Sequence, residues 1–157
     1  MKRILLCCGA ACALLCAAPP DGKPDFSGYW ELNLAKSKFG KMVKPTRMTL
    51  NVYRESDRSK AEQTTWNEQG ESSNSGVWYL DGKDRPAEAA GQTMEKTRWD
   101  GNVLVNEKQS LDRTFVETIR MSLSPDGKTA TEEVRVKSPN GENREVLVFD
   151  KKQKPAS

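Results

Sequence analysis

Apolar and polar residues alternate along most of the chain in short runs, and turn residues separate these runs at intervals of roughly ten positions, as in all-β domains. Met48, Leu50 and Val52 fall on one face of such a run, and Ile119 and Met121 fall on one face of a later run. A period of two is the signature of a β-strand with one buried face. The pattern predicts strands at about 27–33, 46–54, 59–67, 75–80, 93–99, 102–109, 113–123, 129–137 and 143–150.

Three dipeptides in the second half of the chain mark tight turns between these strands: Asp100-Gly101, Asp126-Gly127 and Asn140-Gly141. Each contains a glycine that can adopt the positive φ of a two-residue hairpin. Successive hairpins make sequence neighbours into spatial neighbours, so we expect an antiparallel up-and-down meander. Helical periodicity is limited to about one turn near residues 34–38. The predicted fold is all-β, a meander β-barrel of about eight to ten strands.

Two of the predicted strands carry few apolar residues. The run 60–66 offers Ala61 and Trp66, and the run 93–98 offers mainly Met94. A filled barrel normally shows apolar inward positions on every strand. These two strands therefore either form a solvent-facing part of the sheet or turn polar side chains towards a cavity.

The start of the chain has the organisation of a secretory signal peptide. Lys2 and Arg3 precede a short apolar stretch that ends at the small residues Ala17 and Ala18. A basic start, a short apolar run and a small-residue exit are typical of secretory leaders, and the run is too short for a membrane span. We expect residues 1–18 to be removed, leaving a single domain at 19–157 that is secreted or periplasmic, with no transmembrane segment. Cys12 or Cys16 leaves a lipid anchor open as the less favoured alternative.

Removal of this leader would change both the cysteine content and the charge of the chain. All four cysteines lie before residue 17, so the domain cannot form a disulfide and depends on its core. The leader also holds two of the 25 basic residues, which leaves 23 against 22 acidic residues and a net charge of +1. A net charge so close to zero gives no sign of the excess of basic residues that nucleic-acid-binding domains carry.

Four motifs stand out along the chain: PDFSGYWELN at 24–33, KSKFG at 36–40, WDGNVLV at 99–105 and SPDGKT at 124–129. Together they resemble motifs of small secreted bacterial lipocalin-like proteins of the calycin type. The resemblance implies a meander barrel of eight to ten strands and no settled activity. It also implies that Trp30 is a structural plug at the closed end, with Gly28 allowing close backbone approach and an arginine packed over the indole. Arg120 is the expected arginine, and Arg135 is the alternative.

The residue content limits the possible chemistry. The chain has no histidine, and the domain at 19–157 has no cysteine. Ser-His and Cys-His nucleophiles, zinc sites built from His and Cys, and His-ligated haem are therefore excluded. Carboxylate chemistry gains no support, because the neighbours Glu132 and Glu133 must face opposite sides of a strand. A pair such as Glu62 and Glu95 could still meet inside a barrel. We expect no cofactor and no enzyme activity.

Binding of a small molecule is the favoured function. An eight-stranded barrel can hold one small ligand, and such pockets are lined by apolar and aromatic groups. Trp66, Trp78 and Trp99 are the candidate contacts for a hydrophobic or amphipathic ligand, although each could equally be a core or rim residue. We expect a monomer. The alternatives are a filled-barrel scaffold or interaction protein of the cell envelope and, less favoured, a carboxylate-dependent enzyme.

The export prediction can be checked by intact mass. Expression of the full chain in a secretion-competent host should yield a protein that lacks the leader and contains no cysteine, because the cleavage would remove all four. Mass spectrometry with thiol labelling measures both properties. A purified protein with the mass of the uncut chain would contradict the prediction.

Overall fold

The computed structural model describes residues 22–87 and 93–155; the predicted leader at 1–18 lies outside these residues. The described chain forms ten strands and no helix. The strands are β1 (Gly28–Leu32), β2 (Arg47–Arg54), β3 (Arg58–Asn67), β4 (Gly70–Tyr79), β5 (Arg85–Pro86), β6 (Thr93–Asp100), β7 (Val103–Ser110), β8 (Val116–Leu123), β9 (Thr129–Ser138) and β10 (Gly141–Lys152).

All ten strands belong to one antiparallel sheet with the order β4-β3-β2-β1-β10-β9-β8-β7-β6-β5. Neighbours in sequence pair throughout, and the first strand pairs with the last. The ladder is interrupted at one place, where β4 approaches β6 without pairing to it. The predicted fold class, an all-β antiparallel meander of eight to ten strands, is therefore confirmed.

The predicted turns are present, while two details of the strand prediction are wrong. Gly101, Gly127 and Gly141 all adopt positive φ at hairpin turns. Strand β4 begins at Gly70, five residues before its predicted start at 75, because residues 70–74 are polar and gave no apolar signal. The two-residue strand β5 was not predicted, and residues 34–36 form a turn without a helix.

One end of the barrel is closed by the segment 22–27, which runs across it. Lys23 donates a hydrogen bond from Nζ to the carbonyl oxygen of Gly101 at the β6–β7 turn (3.0 Å). From the opposite wall, Arg54 donates to the carbonyl oxygen of Pro24 (3.1 Å). The segment's own Phe26 is buried here and belongs to the same core cluster as Trp30 and Phe149, the two largest fully buried side chains of the described residues. The hydrophobic core therefore sits at this end.

Trp30 occupies the centre of the closed end and is only 1% exposed. Its Nε1 donates to the carbonyl oxygen of Phe26 (2.8 Å), which satisfies its one polar atom. Nζ of Lys151 lies 5.0 Å from the centroid of the indole, a favourable position for a cation. Gly28 makes room for this lysine, because a Cβ at its φ of +131° would lie 2.7 Å from Cε of Lys151.

The structure corrects the expected partner of Trp30. Since Ile119 and Met121 face the interior, Arg120 between them points outward, where it donates to Asp100 on the outer surface (2.9 Å). Arg135 also lies outside, paired with Glu142. The cation over the indole is Lys151, which stands directly opposite Trp30 in the β1–β10 register.

Replacing Trp30 with alanine tests this closure. We expect Trp30→Ala to reduce the free energy of unfolding by about 3–5 kcal/mol, as truncation of a fully buried tryptophan typically does. Trp66→Ala is the matched control, because Trp66 lies on the outer face, and it should lower the stability by only about 1 kcal/mol. Urea denaturation of both variants measures the difference. A loss below about 1 kcal/mol for Trp30→Ala would exclude the plug role.

Candidate functional site

The register of the sheet turns several polar side chains of β3 and β4 into the barrel. Residues directly opposite each other on neighbouring strands share a face. Leu50, which is buried, lies opposite Gln63, and Gln63 lies opposite Asn74. One pair farther along, Ala61 lies opposite Gly76. Small and polar side chains cannot fill the interior as the core residues do at the closed end.

These positions border an internal cavity of about 430 Å³. Its volume lies within the range of about 300–1,000 Å³ that small-molecule sites usually have. The apolar part of the wall includes Leu50, Val52, Trp78, Leu104, Ile119 and Met121. Gly76 also faces the cavity, and a Cβ built on it would meet no atom within 4 Å. The two strands that carry few apolar residues, β3 and β6, thus both face the cavity.

Of the three tryptophans predicted to contact a ligand, the structure places one against the cavity. Trp78 on β4 lines it. Trp66 lies on the outer face, where its Nε1 donates to Glu71 (2.8 Å) and the guanidinium of Arg47 covers its ring. Trp99 points inward but packs in the closed end, stacked near Phe26 with ring centroids 6.3 Å apart.

The cavity extends to the gap between β4 and the β5–β6 pair. The cavity wall includes residues 74–78 on one side of this gap and Ala87 and Glu95 on the other. Arg85 of β5 spans this gap, with its guanidinium 4.4 Å from the ring centroid of Tyr79 on β4. The same guanidinium forms two hydrogen bonds with Asp81 (2.7 and 2.8 Å) and holds the pKa of that carboxyl well below its usual range. The gap is thus bridged by side chains and, just beyond the end of β4, by a backbone hydrogen bond from Gly82 to the carbonyl oxygen of Thr97 (2.9 Å).

Within the described part of the chain, four charged side chains line the cavity: three carboxylates and one ammonium group. Lys108 on β7 is the ammonium group, and its Nζ lies 3.6 Å from Oε1 of Glu117 on β8, so the two charges offset each other. Glu95 on β6 accepts a hydrogen bond from Nδ2 of Asn106 (2.7 Å). Glu132 on β9 is the third carboxylate.

Asn106 is 1% exposed and has one polar atom without a partner. Its Nδ2 donates to both Glu95 and Thr97 (2.7 and 2.8 Å), which uses both amide hydrogens. This arrangement fixes the orientation of the amide and leaves Oδ1 as a buried acceptor with no donor. A buried acceptor without a donor is unusual in a folded protein and is destabilising by about 1–3 kcal/mol.

Glu132 faces the cavity between apolar neighbours. It lies opposite Met121 on β8 and Leu147 on β10, and it forms no hydrogen bond or ion pair with any residue in 22–87 or 93–155. Removal of the carboxylate from water disfavours its charged form. Burial accordingly raises the pKa of Glu132 from 4.5 to about 7. On the neighbouring strand, burial also raises the pKa of Glu145, which a hydrogen bond from Asn143 partly offsets.

The two carboxylate pairs considered from the sequence, Glu132 with Glu133 and Glu62 with Glu95, do not form in the structure. Glu132 faces inward and the adjacent Glu133 faces outward, as strand alternation predicts. Glu62 lies on the outer face, bonded to Lys60, and does not meet Glu95 in the interior. Within residues 22–87 and 93–155, no three His, Cys, Asp or Glu side chains are grouped to hold a metal ion.

Glu132 and Asn106 were not predicted as site residues. Strand alternation carries the relevant signal: the apolar positions Ala130 and Val134 flank Glu132, which puts a carboxylate on an otherwise apolar face. Asn106 similarly falls two residues after Leu104. An isolated polar residue at a predicted inward position is therefore the pattern that would have found both.

Solved structures with the same fold include a fatty-acid-binding protein and a bile-acid-binding protein. The chain is similar to fatty-acid-binding protein 1 of Echinococcus granulosus (17% identity, 80% of this chain and 96% of that chain, TM-score 0.56). It is also similar to a zebrafish ileal bile-acid-binding protein in complex with cholic acid (14%, 81% and 98%, 0.53) and to a secretory abundant heat soluble protein of Ramazzottius varieornatus (14%, 83% and 97%, 0.60).

The likeness is therefore one of fold, an antiparallel barrel like that of the fatty-acid-binding protein. No protein-family model matches the sequence, and no curated protein matches it either.

No helix within residues 22–87 and 93–155 is long and apolar enough to cross a membrane.

The raised pKa of Glu132 predicts a pH dependence of stability. The folded protein binds this proton more tightly than the unfolded chain, so between about pH 4.5 and pH 7 stability falls as pH rises. Relative to Glu132→Gln, the wild type should lose on the order of 3 kcal/mol between about pH 4 and pH 8. Urea denaturation across this range measures the difference, and Glu133→Gln is the exposed control. A pH-independent difference would contradict the assignment.

Proposed function

We propose that this protein binds a small apolar or amphipathic molecule in the cavity of its barrel. The single observation that carries the proposal is the cavity itself, which has about 430 Å³ of space behind an apolar wall. Its composition, mostly apolar with a few polar groups, is that of a ligand site. The fatty-acid-binding and bile-acid-binding proteins of the same fold support this function.

The cavity also supports one of the two non-enzymatic alternatives over the other. A filled-barrel scaffold requires bulky apolar side chains at inward positions throughout. Ser59, Gln63 and Asn74 occupy three of these positions and border open space instead. The structure therefore favours a ligand carrier over a filled scaffold.

We further propose that the protein works outside the cytoplasm as a monomer. The basic start and short apolar run at residues 1–18 support export. The absence of cysteine from residues 19–157 is compatible with both the cytoplasm and the exterior, so the proposed export rests on the leader alone.

Filling the cavity at Gly76 tests the binding function. A side chain at position 76 would point into open space, because a Cβ built on Gly76 has no atom within 4 Å. The backbone φ of Gly76 is not positive, so phenylalanine can adopt it. The wild type should bind the uncharged dye N-phenyl-1-naphthylamine with a saturable rise in fluorescence. We expect Gly76→Phe to weaken this binding at least about tenfold, because the dye loses its apolar contact surface.

Ser73→Phe is the matched control, since it adds the same ring three residues away on the exposed outer face of β4. It should bind the dye like the wild type, and urea denaturation should show that both variants remain folded. Absence of saturable binding by the wild type, or equal binding by Gly76→Phe, would contradict the proposed function.

A further inference from the structure

The charges on the cavity wall do not match those expected for an anionic ligand. Among the described residues, the cavity wall has one basic side chain, Lys108, and three carboxylates: Glu95, Glu117 and Glu132. No arginine lines the cavity among the described residues, and the segment 88–92 contains no basic residue. Lys108 is already within 3.6 Å of Glu117, so a carboxylate ligand would have to compete for it. Such a ligand would also sit close to two further negative groups, which opposes its binding.

The hydrogen-bonding groups of the interior show the same imbalance. The Glu132 carboxyl has no partner among the described residues and is held between Met121 and Leu147. Oδ1 of Asn106, on an inward position between two residues of the cavity wall, has no donor either. Both can accept a hydrogen bond. The other buried polar atom without a partner among the described residues, Nε1 of Trp99, is a donor, but Trp99 packs in the closed end and does not line the cavity. The empty cavity therefore has unpaired acceptors and an excess of negative charge on its wall.

We propose that the ligand is a cationic amphiphile, an apolar body with a protonated amine, and that Glu132 is the group that pairs with the amine. The inference rests on the proposed function, because it names the chemical class that the same cavity takes. A protonated amine supplies both quantities that the interior lacks: a positive charge and several N–H donors. The apolar side chains of Trp78, Ile119 and Met121 would then cover the apolar body.

The surroundings of Glu132 suit capture of a cation. A charge pair in partly desolvated surroundings interacts more strongly than the same pair in water. Burial raises the pKa of Glu132 to about 7, so the empty site holds its proton readily and a bound amine would favour the ionised carboxylate. Among the described residues, the other charged groups that line the cavity or lie beside it are Glu95 on β6, Lys108 on β7, Glu117 on β8 and Glu145 on β10. Only Lys108 among them opposes a cation, and it is paired.

Three ligands of equal chain length separate charge from apolar contact. Dodecylammonium, dodecanol and dodecanoate should each be tested for displacement of N-phenyl-1-naphthylamine from the full chain, below micelle formation and at about pH 8.5. At this pH Glu132 is ionised and the primary amine is still largely protonated. We expect dodecylammonium to bind at least about tenfold more tightly than dodecanoate, with dodecanol between them.

Two variants assign the preference to one carboxylate. Glu132→Gln keeps the size of the side chain and removes its charge, and it should weaken dodecylammonium binding about tenfold while leaving dodecanol binding nearly unchanged. Glu133→Gln is the matched control, because Glu133 is the next residue of β9 and lies on the exposed face. It should leave the binding of all three ligands unchanged.

The outcomes separate this inference from the proposed function. If dodecanol binds and dodecanoate binds as tightly as dodecylammonium, the cationic preference is wrong and the binding function stands. If the preference for dodecylammonium persists in Glu132→Gln, the role of Glu132 is wrong. If neither the dye nor any of the three ligands binds, the proposed function fails and the inference fails with it.

Discussion

The packing of Trp30 at one end of the barrel determines the arrangement of the rest. Its indole is bonded to the carbonyl oxygen of Phe26 and lies beneath the ammonium group of Lys151. These contacts hold the segment 22–27 across the barrel end, where Lys23 and Arg54 attach it to opposite walls. Because the large side chains are gathered there, the remaining interior is left to smaller and more polar groups.

Because of those groups the interior of the barrel is hollow, and a hollow barrel has a lower free energy of unfolding than a filled one. Atoms that border a void lose packing contacts, and an unpaired carboxyl such as Glu132 is destabilising when ionised. Asn106 adds a buried acceptor without a donor. Departures from good packing and complete hydrogen bonding often mark functional sites. In this protein Glu132 and Asn106 both lie on the face of the sheet that encloses the cavity, where they add unpaired acceptors and negative charge.

The sequence predicts the strands well and the site poorly, for a physical reason. Alternation within a strand is a local property, so Met48, Leu50 and Val52 reveal both a strand and its buried face. Which face a polar strand presents depends on pairing across the sheet. The residues of 70–74 give no apolar signal, and β4 acquires its orientation only from its partner β3.

The same distinction explains the individual site residues. Trp66 and Trp78 look alike in sequence, yet the register places the first outside and the second against the cavity. Arg120 was expected over Trp30 because it is the one charge among Val116, Thr118 and Ser122 on its face of the strand. Lys151 holds that place because β10 pairs with β1. Cross-strand register, which no local pattern encodes, therefore decides which side chains can meet a ligand.

Native mass spectrometry of the protein, purified from its natural source in detergent-free buffer, tests the central claim most directly. The claim is that the cavity holds a small molecule. We predict a reproducible additional mass that is released on denaturation, and fragmentation of the released molecule should reveal an amine on an apolar body. Preparations of the Gly76→Phe variant from the same source should lack that mass. A wild-type protein that always shows the mass of the chain alone, or an adduct that Gly76→Phe retains, would contradict the account.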